Sequence, residues 1–491
     1  MSQPGASVGD AEPGLLAARR ALAGRGAWLV GGAIRDRMMG RSVADFDVVV
    51  EGDPAEAARA VARAAGSAAC FALSEEFGSW RVIARDGSWQ VDVEPRRGRT
   101  LEEDLSLRDF TVNAVAEPLG GGPAIDPLGG IADMRAGRLR MAGPRAFADD
   151  PLRVLRLVRA AVELGFEPDP ATLQAARAEA EGLKVVSGER VFIELRRIVA
   201  APQARAGIEM MGELGAAAVV LPELEDTRGV EQNRFHHRDV HGHTLEVLDR
   251  TVELTGAADA PDGALAGELA AAIGPHVEEV ARLLAEPLAD GMTRGEALRW
   301  GALLHDAAKP QTREVRAADG RVTFIGHDVR GAALAREVLS RLRASERLRG
   351  HVSALVRHHL VLGFLVHERQ PLARRTVFSY LRRCEPVEVD VTLLSIADRL
   401  ATRGERSEAA IEAHLDLARR MLADALSWRS EGRPEPLLRG DELARELAIA
   451  PGPRLGELLE RIAEARYAGE LNTPQEAVAL ARGLLEGAPP G

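Results

Sequence analysis

The amino-acid sequence predicts an α+β protein in which a small mixed sheet with helices is followed by an all-helical remainder. Three observations carry this expectation. Ala27–Val30 and Asp45–Val50 are short apolar or β-branched runs, and the stretches that follow them, Ala33–Met39 and Ala55–Ala65, have helical character. Trp80–Ala84 and Trp89–Val93 flank Asp86-Gly87, a dipeptide that suits the backbone of a tight hairpin. Beyond about residue 148 the strand-like runs stop, and apolar residues recur at i, i+3 and i+4 with breaks at Pro and Gly. Pro222 to Gly229 reads as a boundary, and Ala257–Asp262 and Glu431–Pro436 read as loops.

The 491 residues are enough for roughly three or four domains. With 46% hydrophobic and 28% charged residues the chain is neither disordered nor collagen-like, and two cysteines, Cys70 and Cys384, with no CxxC exclude a disulfide scaffold. No apolar run approaches the roughly 18 residues that span a bilayer. Met1 to Pro13 is rich in Gly, Ser and Pro and lacks the apolar centre of a signal peptide. The expectation is a soluble, cytoplasmic protein in a reducing compartment. A net charge of −11 argues against binding nucleic acid with the whole surface but leaves room for a local basic groove. Lys184 and Lys309 are the only lysines, so an arginine is informative here mainly at a fixed offset from other telling residues. Ten of the 12 histidines fall between His236 and His359, and histidine is the commonest metal ligand.

Gly31-Gly32 sits between a predicted strand and a predicted helix. Glycine there lets the backbone approach a ligand, and a helix N-terminus presents free N–H groups to an anion that Arg35 can also reach. On the next strand Asp45 and Asp47 are two positions apart and therefore point to the same side. Two carboxylates on one face of an apolar strand are costly unless a cation joins them. Mg²⁺ bridging a nucleoside triphosphate fits, because it takes few carboxylates together with phosphate oxygens. Asp92, on the later hairpin, is the candidate for a third carboxylate.

Leu29–Asp36 (LVGGAIRD) followed by Asp45-Phe46-Asp47 resembles the head of class II tRNA nucleotidyltransferases (CCA-adding enzymes) and bacterial poly(A) polymerases, members of the polymerase-β-like superfamily. Arg108–Ala114 (RDFTVNA) resembles the ribose-recognition motif, Asp126–Asp133 the hinge-like element, Asp149–Arg159 (DDPLRVLRLVR) the base-reading helix and Ser187–Leu195 the neck. The resemblance implies that Gly31, Gly32, Arg35 and Asp36 form the triphosphate turn and that Asp45 and Asp47 carry Mg²⁺. It implies that Arg108, Asp109 and Asn113 shape the ribose site and that Asp150 and Arg153 hydrogen-bond the base edge from one helix face. Arg156 and Arg159 continue that row toward phosphates. The chain departs from the family at Leu107, where an arginine is usual, at Asp149, where a glutamate is usual, and between Asp92 and Arg108. Only 15 residues lie in that last interval, where the family commonly has a longer loop associated with switching from C to A addition; the shortness resembles CC-adding members.

His243, the pair His305-Asp306 and Asp398 occur in the order of HD domains, whose helices bind a divalent metal, here a transition metal, with Asp ionised and His neutral. His327, His358 and His359 fall where some HD enzymes hold a second metal. The resemblance thus implies a tail at 1–24, a nucleotidyltransferase head at 25–147, a helical, base- and RNA-binding neck at 148–225, an HD domain at 226–402 and a helical, tRNA-binding tail at 403–491. It implies CTP, ATP and tRNA as partners, and no membrane. The implied activity is template-independent addition of C and/or A to the tRNA 3′ end. The alternatives are a CC-adding or A-adding specialist, a poly(A) polymerase, or an HD phosphohydrolase whose head serves only to bind RNA.

Overall fold

The computed structural model describes residues 12–66, 68–74, 78–232, 237–256, 267–402 and 408–487. The chain divides into two compact units. One comprises Met1–Val186 with Glu209–Val220, the other Ser187–Ile208 with Leu221–Gly491.

The first unit opens with helix α1 (Pro13–Leu22), which buries Leu15, Ala17, Ala18 and Leu22. This corrects the expected tail at 1–24. The Gly/Ser/Pro composition ends at Pro13, which sits in the first turn of the helix, where a missing N–H costs nothing. Residues 1–11 lie outside the described residues. The sheet follows: β1 (Ala27–Val30), α2 (Gly32–Met38), β2 (Asp45–Val50), α3 (Pro54–Ala64), β3 (Ala69–Ser74), β4 (Ser79–Ile83), β5 (Gln90–Pro95), α4 (Leu101–Ser106) and β6 (Ala116–Pro118). Its order is β3-β4-β5-β2-β1-β6. All neighbours are antiparallel except β2 and β5, which run parallel. Two of these strands, β3 and β6, were not expected. β3 is an edge strand with Phe71 and Leu73 exposed, and β6 is three residues long, so neither carries the buried alternation that marks a strand.

Two further elements matter for the site. Helix α5 (Gly130–Ala136) is entered through Gly129 in the left-handed region, with Asp126 capping the N–H groups of Gly130 and Ile131 at 2.7 and 2.9 Å. A short helix α6 (Ala146–Asp149) and the amphipathic α7 (Arg153–Leu164) complete the first unit's contribution. The expected neck at 148–225 is not one body, since its residues are shared between the two units.

The second unit is mostly helical. It also holds three-residue and two-residue strands, Pro287–Ala289 with Met292–Thr293 and Glu314–Val315 with Val322–Thr323, too short to produce periodicity in the sequence. One large core joins Val240–Gly256, Arg294–Leu304, Arg374–Cys384, Glu388–Ala401 and the long helix Glu408–Glu431. The boundary expected at 402/403 therefore cuts through a continuous core: Leu417, Met421, Leu422 and Trp428 pack with it. A separate small core begins only at Leu443 and runs to Ala481. The expected loop Ala257–Asp262 lies outside the described residues.

Close packing at Gly130 gives a direct test. A Cβ there would lie 2.0 Å from the Thr111 carbonyl oxygen, a backbone atom that cannot swing aside. Gly130→Ala should therefore lower stability by about 1–3 kcal/mol, the range for overpacking, read as a drop in thermal midpoint; an unchanged midpoint would count against so close an approach of α5 to the Thr111–Asn113 turn.

Candidate functional site

The first cluster lies on one face of the sheet. In the parallel register Asp47 stands opposite Asp92, and Asp45 is two residues before Asp47 on the same side. Glu94 shares that face through the same strand. The neighbouring apolar positions, Phe46 and Val48, point into the core. Burial pushes the Asp47 carboxyl up to about 6; Arg108 pulls it down, while Glu94, Asp92 and Asp45 push it further up. A carboxylate so crowded by its own kind suits a divalent cation better than it suits water. Arg81, on the adjacent antiparallel strand, donates to both oxygens of Asp92, at 2.7 and 2.7 Å. Arg81 is a site residue that the sequence patterns did not single out.

Gly31 takes φ +78°, outside the range of most side chains, and a Cβ there would sit 3.0 Å from Asp47 Oδ2 and 3.4 Å from Arg108 Nη1. The glycine thus keeps open the space between α2's first turn and the carboxylates. Arg35 donates through Nε and Nη2 to Asp36 (3.0 and 2.8 Å) and through Nη1 to Asn113 Oδ1 (2.6 Å). Asn113 donates on to Asp109 at 2.9 Å. Burial would raise Asp109, but Arg156, Asn113 and the Phe110 N–H outweigh it and hold the carboxyl below its usual range. Arg156 lies 3.6 Å from Asp109 Oδ2, and Arg159 pairs with Glu163 at 3.9 Å along its own helix. Arg108 bonds the buried Asp104 at 3.2 Å, which also caps Arg97 N–H at 2.8 Å. Together with the Thr100 cap on α4, this makes residues 96–107 a short tethered turn and helix.

The expected pairing of Asp150 with Arg153 on one helix face is corrected. Asp150 precedes Pro151, whose ring disfavours helical backbone in the residue before it. Asp150 accordingly takes φ −149° and ψ 98°, between α6 and α7, and its side chain caps Leu152 N–H at 3.2 Å. Arg153 opens α7, and its guanidinium donates to the carbonyls of Leu107 (2.8 Å), Arg108 (3.2 Å) and Ala146 (3.1 Å). It thereby ties the helix to the backbone of the motif around Arg108.

The second cluster is built on five helices of the second unit or the residues just past their ends. Among the described residues, two groups of three metal-ligating side chains converge with all ligand atoms within 4.8 Å: His243, His305 and Asp398, and Asp306, His327 and His359. Asp306 connects them. Its Oδ2 lies 3.2 Å from His305 Nε2 and 3.7 Å from His243 Nε2, while its Oδ1 lies 3.3 Å from His327 Nε2 and 3.9 Å from His359 Nε2. His243 Nε2 is 3.0 Å from Asp398. His305, His327 and His359 each turn Nδ1 to a carbonyl three residues back, at 2.7 Å in all three cases. That contact fixes the tautomer, so the Nε2 lone pairs face the centre, the arrangement a metal requires. Burial raises Asp306 and Asp398, yet in the metal-free form hydrogen bonds and positive charge from the surrounding imidazoles, and Lys309 at 2.6 Å from Asp306, hold both well below the usual carboxylate range; a metal ion would take the place of those protons. The donor set fits two divalent ions sharing Asp306. His358, expected near a second metal, is in neither group; its neighbour His359 takes that place. Lys309 and Gln232, bonded at 2.7 Å, were not singled out in the sequence.

Segments of the chain match the family descriptions of the poly A polymerase head domain (residues 27–140), the probable RNA and SrmB-binding site of polymerase A (165–227) and the HD domain (273–403). His243 lies outside the matched HD segment and enters the cluster from the helix Val240–Gly256. Among curated relatives, an A-adding tRNA nucleotidyltransferase of Deinococcus radiodurans is 37% identical over 94% of this chain and 96% of its own length. A CC-adding tRNA nucleotidyltransferase of Thermus thermophilus is 32% identical over 92% of each. Among solved structures, the fold matches a CCA-adding enzyme in its apo form at a TM-score of 0.62 with 19% identity, covering 96% of this chain and 93% of that one.

The metal arrangement predicts distinct responses in the second cluster. After chelation, titration of the full chain with Mn²⁺ should show two tight ions per chain there, and His327→Ala should remove one of them. Asp306→Asn should weaken both by roughly 100-fold, more than the 10- to 100-fold typical of losing a mere supporting contact. An unchanged stoichiometry in His327→Ala would exclude the shared-carboxylate arrangement. On the extent and identity of these matches, the chain belongs to the tRNA nucleotidyltransferase family, with a poly A polymerase-type head and an HD domain.

Proposed function

We propose that this chain adds C, A or both to the 3′ end of tRNA, from CTP and ATP, without a template. The carboxylate face of β2 and β5, with Asp47 raised to about 6 among Asp45, Asp92 and Glu94, is the single observation that supports the reading most. The terminal hydroxyl oxygen attacks the α-phosphorus of the nucleotide as its proton passes to solvent, the bond to the β-phosphate bridge breaks, and pyrophosphate leaves. Asp45, Asp47 and Asp92 are the residues to hold Mg²⁺, which when bound would stabilise the attacking and leaving oxygens. For Asp92 to take part, Arg81 must release at least one of its oxygens. Gly31 and Gly32 leave room for the triphosphate at the start of α2, with Arg35 and Asp36 beside it. Arg108, Asp109 and Asn113 form one linked set that shapes the ribose side. Arg153, Asp150 and the following arginines Arg156 and Arg159 are the candidates for the base and its phosphates. A tRNA substrate supports a cytoplasmic location.

The second reading is a specialist for one base. The short tethered segment 96–107 favours CC addition, because the family associates a longer loop there with the change from C to A. The 37% identical relative is named A-adding and favours the opposite. The second cluster supports a phosphohydrolase activity in the same chain: a phosphate ester is cleaved by water, its phosphorus–oxygen bond breaks and the alcohol takes the proton. His243, His305, Asp306, His327, His359 and Asp398 would hold divalent metal ions, which when bound supply a water activated at neutral pH.

Incubating the protein with tRNA ending at the discriminator base, at C or at CC, with each labelled nucleotide in turn, separates the activities. Addition to any of these ends supports the transferase reading, and no addition to any of them sinks it. Asp45→Ala should reduce incorporation by roughly 1,000-fold or more, the scale of several kcal/mol of charge stabilisation, with tRNA binding retained. Arg153→Ala should blunt discrimination between CTP and ATP by roughly tenfold or more; full discrimination would deny it a part in base choice.

A further inference from the structure

Four of the five helices that deliver the second cluster are tied together again, well away from the metal ligands. The helix Arg294–Leu304 ends immediately before His305 and Asp306. Two of its arginines, Arg294 and Arg299, are each 5% exposed, although arginine is seldom buried unless it is paired. Arg294 opens the helix. Its Nε donates to both oxygens of Asp390, at 2.8 and 2.9 Å, and its Nη2 donates to the Pro386 carbonyl at 3.0 Å. Asp390 is fully buried in the first turn of the helix Glu388–Ala401, eight residues before Asp398. His351 brings Nε2 to 3.7 Å from the same carboxylate, and it belongs to the helix Glu346–His358, eight residues before His359. Arg299 donates through Nε to Thr255 at 2.8 Å, on the helix Val240–Gly256 that carries His243. Its Nη1 donates to the carbonyls of Val199 (3.2 Å) and Ala201 (3.0 Å), at the end of the helix Gly188–Ala200.

Three helices therefore meet twice. They meet first at Arg294, Asp390 and His351, and again at His305, Asp306, Asp398 and His359. At about 1.5 Å of rise per residue, the two levels lie about 12–17 Å apart along the helices. Between them the packing is apolar: Leu298, Ala302, Leu355, Val391 and Leu394 belong to one core. Apolar contact opposes separation but has no direction, so it tolerates a slide of one helix along another. A two-pronged bond between a guanidinium and a carboxylate does not, because a slide breaks its geometry. Desolvation offsets most of the attraction in a buried ion pair, so net stability is a weak reason for Arg294 and Asp390 to be there, and register is a better one.

We propose that Arg294, through Asp390 and His351, and Arg299, through Thr255, are positioning residues that set the axial register of these four helices and thereby the spacing of His243, His305, Asp306, His359 and Asp398. Coordination tolerates ligand displacements of only about 0.2 Å, so a slide of about 1 Å that a hydrophobic core would absorb takes ligands out of reach of an ion. The proposal rests on the metal-binding reading of the cluster for its consequence, but not for the register itself.

The test uses the full chain, with Mn²⁺ titration after chelation, the thermal midpoint, and the histidine ring signals of the metal-free chain by nuclear magnetic resonance. Arg294→Met combined with Asp390→Leu replaces the ion pair by apolar side chains, a change that buried pairs often accept without loss of stability. This double variant should keep its midpoint, yet bind Mn²⁺ at the second cluster roughly 10- to 100-fold more weakly. It should also move the ring signals of His305 and His359 and leave that of His276, which is outside the cluster, in place. Arg294→Lys keeps the charge without the fork, so it should fall between the double variant and the unaltered chain; it carries the same readouts if the double variant is destabilised. Arg299→Met should move the His243 signal. In a folded variant, unmoved His305 and His359 signals overturn the proposal, and so do moved signals with unchanged Mn²⁺ affinity. Moved signals, with an unaltered chain that takes up no Mn²⁺, would support the register and refute the metal reading. Mn²⁺ uptake by the unaltered chain, with unmoved signals in the variants, would do the reverse.

Discussion

The parallel register of β2 against β5 is the constraint on which the first unit's chemistry depends. Within the sheet, every other strand pairing is antiparallel. This one parallel pairing aligns Asp47 with Asp92 and brings Asp45 and Glu94 onto the same face. Backbone hydrogen bonding does not require four acids in that small area, and electrostatics opposes it. The protein answers with Arg81, which takes both oxygens of Asp92, and with Arg108, whose charge pulls Asp47 down but leaves it at about 6. The remaining imbalance is the property that a bound cation would relieve, and it explains why a glycine with positive φ must face the same space.

How far the sequence exposes this differs by residue. The Asp45/Asp47 pair is legible because strand periodicity alone puts them on one side. Arg81 was legible in principle: counting back equally from the Asp86-Gly87 turn sets it opposite Asp92, since a hairpin's turn determines its register. The Asp47–Asp92 alignment was not, because no turn connects two parallel strands and their register is set by packing far away in sequence. Asp150 was misplaced for a local reason that was also present in the sequence, namely Pro151 immediately after it. The helical periodicity of the following residues masked that break. Pro13 acted in the opposite way, as a helix start inside a stretch whose composition resembled a tail.

The two clusters solve the problem of holding cations with different atoms. In the first unit the candidate ligands are carboxylate oxygens on a rigid sheet, suited to a hard ion that keeps water and phosphate in its coordination shell. In the second unit they are imidazole nitrogens whose rings are locked by carbonyls, with carboxylates between them, a set that suits softer transition ions. Here too legibility was uneven. His243, His305-Asp306 and Asp398 stand out as an ordered series. Choosing between His358 and His359 needed the end of the helix Glu346–His358, because the residue just past it, His359, is the one that turns its Nδ1 back to Val356 and its Nε2 toward His327.

The segment between β5 and Arg108 ties the sheet to the start of α7. Its helix α4 is capped by Thr100, its turn is held by Asp104, and Asp104 in turn bonds Arg108. Arg153 then grips the carbonyls of Leu107 and Arg108 from the other side. The Gly31-Gly32 turn, the linked set of Arg108, Asp109 and Asn113 and the start of α7 are therefore joined through one short stretch of backbone. Any motion of α7 that altered which base it faces would have to break three carbonyl contacts of a partly buried guanidinium, at a cost of several kcal/mol if none were replaced by water or ligand. A longer loop could absorb such a motion by changing its own shape. A tethered one transmits it to Arg108 and the carboxylates beside it. Under the proposed function, a change of base preference and a change in the reacting geometry are therefore mechanically coupled.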